Sequence, residues 1–515
     1  MSLPRVVTEA LGGSTLSRAI QAGTVPAEWG AAPPRRVDEW RGHAAAVRER
    51  FASGEWYAAL RPAFAATGAA AERLERVAAA GGVVITTGQQ PGLFGGPIYT
   101  WLKALSALAL ADRIERDTGI PAAPVFWAAT DDADYAEAAW TAVATDHGVR
   151  RLSLPFTARE GLVMAATPLG AVDDALQALA DTAASAPHLE ILEALRATYV
   201  PGATVGGAYV AFLRSVLEPL GIGVLDAWHP ATRAAARPTL VQALQRAASI
   251  DEAVSLRNVA IERSGYRPQV ARVAKLSLVF RADDGVKARI PLGEAARLAT
   301  DPSVTLSPNV LLRPVVEQAI LPTVGYVAGP GELAYFVQVS AVAEAMGVRA
   351  PVALPRWSAS VVDPVTDRRL GRLGLVIDDL RDPHAAERRI GDRAIPLALR
   401  SELEALRSEI QARIQGMLDA NGAADALVAD RVIEGARQQI VHRLDRLERR
   451  IRAAARGREV EAMADLTAIR AALMPEGHRQ ERRLNLVPLL ARYGESLVAQ
   501  LRAGAAMHAG TLVVP

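Results

Sequence analysis

The sequence predicts an α/β protein built around a parallel sheet, and three stretches indicate this. Residues 83–135 read as a buried strand, a glycine-rich turn, a long apolar helix, a second buried strand and a carboxylate cluster, which is the pattern of one βαβ unit. A further apolar run at Val224 and Leu225 ends at Asp226, and another at 323–327 precedes a Gly-Pro-Gly-Glu turn. Polar residues therefore follow several predicted strands, where open α/β sheets bind ligands.

Composition bounds the class of protein. The chain has 515 residues, 50% of them hydrophobic, and this length predicts about three domains or one large domain with insertions. Its 58 basic and 56 acidic residues nearly balance, so charge does not indicate a nucleic-acid partner. Cysteine is absent, which excludes disulfides and thiolate metal sites. We find no signal peptide and no apolar run of the about 20 residues that a membrane span needs, and we expect a cytoplasmic protein.

The helices are predicted from apolar spacing and from their end signals. Residues 37–52 and 55–80 carry apolar side chains at helical spacing and are expected to cover the sheet. Pro97 suits the first turn of the long helix, and Gly119 with Pro121 marks its end.

Two stretches are predicted to interrupt the sheet domain. Residues 149–206 change from strand-like to helical patterns, and 256–300 contain a β-hairpin turning at Asp284 and Gly285.

The C-terminal part predicts an antiparallel helical hairpin that turns near Asn421 and Gly422. Its apolar positions are Leu399, Leu403, Leu406, Ile410, Ile414, Met417, Ile433, Ile440, Leu444, Leu447 and Ile451. Dimerisation is the first hypothesis for such a hairpin. Gly457 is expected to interrupt its second arm, and the amphipathic tail from Glu476 is expected to pack back on the core.

The glycine-rich turn is the first candidate site. It matches neither the P-loop nor the GxGxxG pattern. Gly88, Gln89, Gln90 and Gly92 precede a helix N-terminus, where backbone N–H groups favour a phosphate or carboxylate. The alternative is that the glycines only form a tight turn. Lys103 either contacts a phosphate or is a surface residue whose amine reaches solvent.

The acidic cluster is the second candidate. Asp131, Asp132 and Asp134 suit a magnesium ion, an amine or general-base chemistry, while Asp131 or Asp132 could equally cap the next helix. The eight histidines show no zinc-binding spacing, so no metal site is assigned. His229 follows the third strand and lies near the predicted crevice.

The third candidate is a polar group within residues 307–338. Its members are Asn309, Arg313, Glu317, Gly329, Gly331, Glu332 and Gln338. Arg313 stands in a strongly apolar segment, which favours an ordered guanidinium that recognises a carboxylate or phosphate. The alternative is an internal salt bridge to Glu317, one helical turn on.

These blocks resemble the bacillithiol biosynthesis cysteine-adding enzymes, the BshC family of cysteine ligases. The matching segments are TGQQPGLFGGPIYTWLKALSAL, PVFWAATDDADY, GYRPQV, SPNVLLRPVVEQAILPTVGYVAGPGELAYFVQ and QERRLNLVPLLARYG, spread in order over nearly the full length. The resemblance implies a Rossmann-like core similar to class I aminoacyl-tRNA synthetases, two connecting insertions, and a C-terminal α-helical coiled-coil domain that makes a homodimer.

The corresponding boundaries follow from the patterns and the resemblance together. They are 1–148 for the N-terminal helices and first half of the core, 149–206 for the first insertion, 207–255 for core, 256–300 for the second insertion, 301–380 for the second half of the core, 381–475 for the coiled-coil hairpin and 476–515 for the returning C-terminal segment.

The reaction implied by the resemblance joins cysteine to glucosaminyl-malate through an amide bond. A free carboxylate must be activated for this, so ATP with magnesium is expected. Asp131, Asp132 and Asp134 would be catalytic, and the other candidates would bind substrate or nucleotide. Family members carry a histidine in the acidic motif where this chain has Ala133. That difference motivates the alternative of a catalytically drifted homodimer that binds a nucleotide or metabolite.

Overall fold

The computed structural model describes residues 3–51, 54–155, 158–183, 186–382, 384–423 and 426–514. The other positions within the predicted domain ranges lie outside the described residues. The chain divides into two compact units, the first formed by Met1–Val143, Arg150–Val361 and Gln480–Pro515, and the second by Ala144–Val149 and Val362–Arg479. Among the helices within the described ranges, none combines the length and apolar composition that crossing a membrane requires.

A five-stranded parallel sheet forms the centre of the first unit. In spatial order its strands are Ala353–Pro355, Thr323–Ala328, Val83–Gln89, Ala122–Ala128 and Gly223–Asp226. Along the chain, Ala122–Ala128 and then Gly223–Asp226 are added on one side of Val83–Gln89. The later strand Thr323–Ala328 is added on the opposite side of Val83–Gln89. These two neighbours therefore form the topological switch point of a Rossmann-like sheet, and the predicted α/β class is confirmed.

Burial on both faces explains why the strands read as continuous apolar runs. Val83–Gln89 pairs residue by residue with Ala122–Ala128, so the two strands end together. Gly88 is required in this pair because a Cβ there would lie 2.7 Å from the carbonyl oxygen of Trp127. The sheet thus delivers the residues after Gly88 to its carboxyl edge.

Helices cover the sheet and form the insertions of the first unit. Their bounds are Thr15–Gln21, Val37–Arg48, Glu55–Phe64, Gly68–Ala79, Ile98–Thr118, Tyr135–Ala138, Asp173–Ala183, Glu190–Thr198, Val205–Leu217, Pro230–Gln245, Ala247–Arg263, Leu292–Ala299, Arg313–Ile320, Pro330–Met346, Gln480–Arg483 and Val487–Leu512. The predicted helix over 55–80 is divided, because Ala65 adopts a φ of +43° between its two parts. The C-terminal helix Val487–Leu512 contacts Ile98–Thr118, as predicted for the tail.

A three-stranded antiparallel sheet forms within and beside the second predicted insertion. Leu276–Asp283 lies between Val286–Pro291 and Thr305–Pro308. The predicted hairpin turn is confirmed, since Asp284 and Gly285 have φ values of +48° and +78°, as a tight hairpin requires. The remaining strands are Arg5–Thr8, Trp140–Thr145, Gly148–Ser153 and Ala359–Val362.

The second unit contains the predicted helical hairpin. Its helices are Pro364–Leu373, Ala385–Ala394, Leu397–Ala423, Asp430–Arg458 and Val460–Leu473. The turn is fixed by Asn421, whose amide donates to the Val428 carbonyl at 2.8 Å and to Asp430 at 3.0 Å. The second arm breaks at Glu459 rather than at Gly457, because the helix continues to Arg458 and Glu459 leaves helical geometry.

Candidate functional site

A cavity of about 210 Å³ opens at the switch point of the sheet. The predicted residues that line it are Gly88, Gln89, Gln90, Lys103, Arg313, Gly329, Gly331 and Glu332. The lining residues that the sequence did not single out are Tyr99, Glu137, Val310, Pro330, Tyr335, Arg356 and Arg482. The structure therefore brings part of the first predicted group and part of the third together in one place.

Lys103 forms the floor of the cavity. Its side chain is 1% exposed, so the surface alternative is wrong. The ammonium lies 2.6 Å from Glu332 Oε2 and 3.3 Å from Gln89 Oε1, and it also donates to the Gly88 carbonyl. Burial lowers the pKa of Lys103, and Glu332 opposes that shift. Because an ammonium has three donors, Lys103 is fully used in holding these groups in place.

Glu332 connects the floor to the helix Pro330–Met346. Its carboxylate accepts from the Gly329 backbone N–H at 2.7 Å, which caps that helix, and from the Tyr326 hydroxyl at 2.6 Å. Burial opposes its ionisation, but Lys103 and Arg313 hold the pKa of Glu332 below its usual range. Glu332 is therefore an ionised anchor rather than a proton donor.

Arg313 forms the internal salt bridge that was one of its predicted alternatives, and its recognition of a carboxylate or phosphate stays a prediction. Its Nε lies 3.3 Å from Glu317 Oε1, which is the internal salt bridge, and the residue also lines the cavity. The guanidinium donates to the hydroxyls of Tyr326 at 3.3 Å and Tyr335 at 3.1 Å. Burial raises the pKa of Glu317 to about 7, although Arg313 opposes the shift.

A buried ion pair that sequence reasoning missed completes the wall. Arg356 donates twice to Glu481, at 2.6 and 2.7 Å, and both side chains are at most 3% exposed. Gln480 pairs with the backbone N–H and carbonyl of Val361, each at 2.8 Å. These contacts fix the helix Gln480–Arg483, which brings Arg482 to the cavity. The QERR block within the family resemblance was the available signal.

The glycine-rich turn leaves the cavity after Gln90. A Cβ on Gly95 would lie 2.7 Å from the Phe212 ring, and Asn485 donates to the carbonyls of Phe94 and Gly96 at 3.0 and 3.2 Å. For this part of the motif the tight-turn alternative is correct, and Gly92 lies outside the cavity.

The anion at the following helix N-terminus stays a prediction, and one of the donors there is already used within the protein. The Ile98 backbone N–H donates to the Leu484 carbonyl at 2.9 Å, so this donor already has a protein partner.

The acidic cluster also lies outside the cavity. Asp131 accepts from Ser307 Oγ at 2.7 Å and lies 3.5 Å from the Lys287 ammonium. The residue that caps the next helix is Asp134, which accepts from the Glu137 backbone N–H at 3.1 Å, rather than Asp131 or Asp132.

Asp132 accepts from the Asp134 backbone N–H at 2.8 Å, and burial raises the pKa of Asp132. Across the described ranges, no group of three or more His, Asp or Glu side chains is arranged to hold a metal ion. The catalytic role of these three aspartates stays a prediction.

Three other predicted binding residues form hydrogen bonds with backbone groups of the protein. His229 Nδ1 accepts at 3.1 Å from the backbone N–H two residues on, and Asn309 Oδ1 accepts at 3.0 Å from the backbone N–H three residues on. Gln338 is fully buried, and its amide bonds to both backbone groups of Val270 at 2.8 and 3.0 Å. The structure places all three away from the cavity.

This strand order, with a polar cavity at the switch point, defines a Rossmann-like α/β protein. The family model "Bacillithiol biosynthesis BshC, N-terminal Rossmann-like domain" matches residues 36–357, and "Bacillithiol biosynthesis BshC, C-terminal coiled-coil domain" matches residues 359–512. The chain belongs to the bacillithiol biosynthesis BshC family, and the predicted family is confirmed.

Relatives are similar over nearly the whole chain. A protein of Solibacter usitatus named "Putative cysteine ligase BshC" is 31% identical, over 91% of this chain and 90% of its own length. Proteins of the same name from Koribacter versatilis and Symbiobacterium thermophilum are 30% and 29% identical, over 84% and 96% of this chain and 82% and 96% of their own lengths.

Proposed function

We propose that this protein is a ligase of bacillithiol biosynthesis that joins cysteine to glucosaminyl-malate through an amide bond. The observation that carries the proposal is the convergence of three sequence blocks in one cavity. Gly88 to Gln90, Arg313, and Gly329 to Glu332 are far apart in the chain and meet at the switch point. The name shared by its relatives supplies the reaction class.

ATP is the proposed co-substrate, because a carboxylate must be converted into an activated form before an amine attacks it. Magnesium is commonly held in part by the phosphates of such a nucleotide. We therefore propose that the ion enters with the nucleotide.

The difference at Ala133 does not weaken the proposed cavity. Ala133 belongs to the acidic cluster and does not line the cavity.

Product formation tests the proposal. Purified protein, cysteine, glucosaminyl-malate and magnesium ATP are expected to yield bacillithiol by mass spectrometry, with no product when ATP is omitted. If a relative produces bacillithiol under the same conditions and this protein does not, the proposal is wrong. Nucleotide binding without turnover, measured by calorimetry, would then favour the alternative.

A cytoplasmic homodimer formed through the helical hairpin is also proposed. Leu406, Met417, Ile440 and Leu447 are apolar positions of the hairpin that are between 40% and 55% exposed within the chain. A second copy would cover such side chains, as in a larger coiled coil.

A further inference from the structure

The cationic side chains of the cavity differ in whether other protein groups pair with them. Lys103 contacts three acceptors, Arg313 forms an ion pair with Glu317 and contacts two tyrosine hydroxyls, and Arg356 forms an ion pair with Glu481. Arg482 is exposed at the cavity, and its guanidinium lies 5.8 Å from the centre of the Tyr99 ring. Among the described contacts, Arg482 has no carboxylate within ion-pair distance. The cavity therefore presents one guanidinium that is free to bind an anion.

The carboxylates of the cavity show the same contrast. Glu332 is held by Lys103, and Glu481 is held by Arg356. Glu137 is exposed at the cavity and interacts with the Gln90 amide; within the described part of the chain no ion pair to it is formed, although Arg482 acts on it electrostatically from a longer distance. Glu137 thus supplies one carboxylate that is free to bind a cation.

These two free charges lie around the same part of the cavity. Glu137 and Arg482 both act electrostatically on the Tyr99 hydroxyl, with opposite signs. Asp134 caps the short helix that carries Glu137, and the Arg356–Glu481 pair fixes the helix that carries Arg482. Each charge is therefore presented by an element that the fold holds in place.

We propose that this cavity is the subsite for a free α-amino acid, with Arg482 binding the α-carboxylate and Glu137 binding the α-ammonium. At about 210 Å³ the cavity is smaller than the roughly 300–1,000 Å³ of sites for drug-sized ligands, which suits an amino acid better than a whole nucleotide. The identification of this amino acid as cysteine rests on the proposed function. The guanidinium is complementary to the carboxylate end of such a zwitterion, and the carboxylate is complementary to its ammonium end.

Calorimetry with three thiols tests the subsite under reducing conditions. The probes are L-cysteine, cysteamine, which lacks the carboxylate, and 3-mercaptopropionate, which lacks the amine. Arg482→Gln is expected to weaken L-cysteine binding at least about tenfold and to leave cysteamine binding unchanged. Glu137→Gln is expected to weaken L-cysteine binding similarly and to leave 3-mercaptopropionate binding unchanged.

Matched variants control for charge and folding. Arg483→Gln alters the neighbouring arginine, and Glu160→Gln alters an exposed carboxylate, both outside the cavity; both should bind L-cysteine like the wild type. Arg482→Lys should recover part of the lost affinity. Far-UV circular dichroism and thermal melting confirm that each variant is folded.

The outcomes separate this inference from the proposed function. If the wild-type protein fails to bind L-cysteine, or if neither variant changes its affinity, the amino-acid subsite is wrong, whatever the product assay shows. If the affinities change as expected but bacillithiol does not form, the amino-acid subsite is confirmed and the proposed ligase reaction is wrong.

Discussion

The buried ammonium of Lys103 holds the cavity floor together, and its removal leaves Glu332 without its closest cation. We expect Lys103→Met to lower the free energy of unfolding by about 3–5 kcal/mol, because a buried charge then lacks its partner. The surface pair of Arg61 and Glu75, 3.7 Å apart and 71% and 54% exposed, provides the control. Arg61→Met should cost less than about 1 kcal/mol. Urea unfolding measures both, and equal losses would contradict the role of Lys103.

Glu317 makes stability depend on pH. Its pKa is raised from 4.5 to about 7 by burial, so the folded state holds a proton that the unfolded state has released between these values. The free energy of unfolding should therefore fall as pH rises through this window. Glu317→Gln should remove that part of the decline, whereas the exposed Glu160→Gln should not. Identical pH profiles for wild type and Glu317→Gln would show that the pKa is not raised.

Sequence reasoning found those site residues that follow strands directly. Gln89 is the last residue of one strand, Gln90 follows it, and Glu332 lies four residues after the end of another strand, where the carboxyl-end rule applies. Arg356 and Glu481 were missed because they are 125 residues apart and their pairing leaves no local spacing. Gln338 was assigned to the same group although it lies away from the cavity, since a buried amide that binds backbone groups has the same sequence appearance as one that binds a ligand.

In the glycine-rich turn, glycine is required by close packing as well as by backbone conformation. Gly95 has a φ of +86°, and a Cβ there would overlap Phe212 at 2.7 Å, whereas Gly119 has a φ of +74° with no atom within 4 Å of the place that a Cβ would take. Gly119→Ala should cost about 1 kcal/mol from backbone strain. Gly95→Ala should cost about 1–3 kcal/mol more because of the overlap. Equal melting temperatures for the two variants would contradict this account.

The sequence predicted which segments are helices and strands more accurately than it predicted where each one begins and ends. The long helix ends at Gly119 as expected, because an αL glycine is a local signal. The break at Ala65 was missed, since alanine carries no signal for positive φ and the conformation is imposed by packing. The acidic cluster was ambiguous for a similar reason, because Asp134 caps a helix of only four residues that no periodicity reveals.

At the scale of the whole molecule, the proposed dimer depends on side chains that the hairpin leaves uncovered. Ile440 and Leu447 are seven residues apart on one helix face and are 40% and 46% exposed, while Leu444 is 5% exposed and belongs to the hairpin's own core. The double variant Ile440→Glu with Leu447→Glu should be monomeric by light scattering. His442→Glu with Arg449→Glu has the same spacing on another face and should stay dimeric. An unchanged mass for the first variant would reject this interface.

The overall architecture was predictable because it is set by patterns that run along the chain. Apolar strands of the parallel sheet and the heptad-like rhythm of the hairpin are visible locally. The cavity depends on which strands become neighbours, and only the fold places Thr323–Ala328 beside Val83–Gln89. That adjacency creates the switch point and therefore the site.

Filling the cavity tests its role in ligation most directly. Gly331 lines the cavity in the first turn of its helix, and a Cβ there would meet only the Gln269 amide at 3.8 Å. Gly293 holds the same place in the helix Leu292–Ala299, with open space around it and outside the cavity.

The measurement is the rate of bacillithiol formation by Gly331→Leu and Gly293→Leu, with melting temperatures as the check on folding. We expect Gly331→Leu to lose about 100-fold or more in rate while staying folded, because its side chain displaces the substrate, and Gly293→Leu to retain the wild-type rate. A Gly331→Leu protein that forms bacillithiol at the wild-type rate would show that ligation takes place elsewhere.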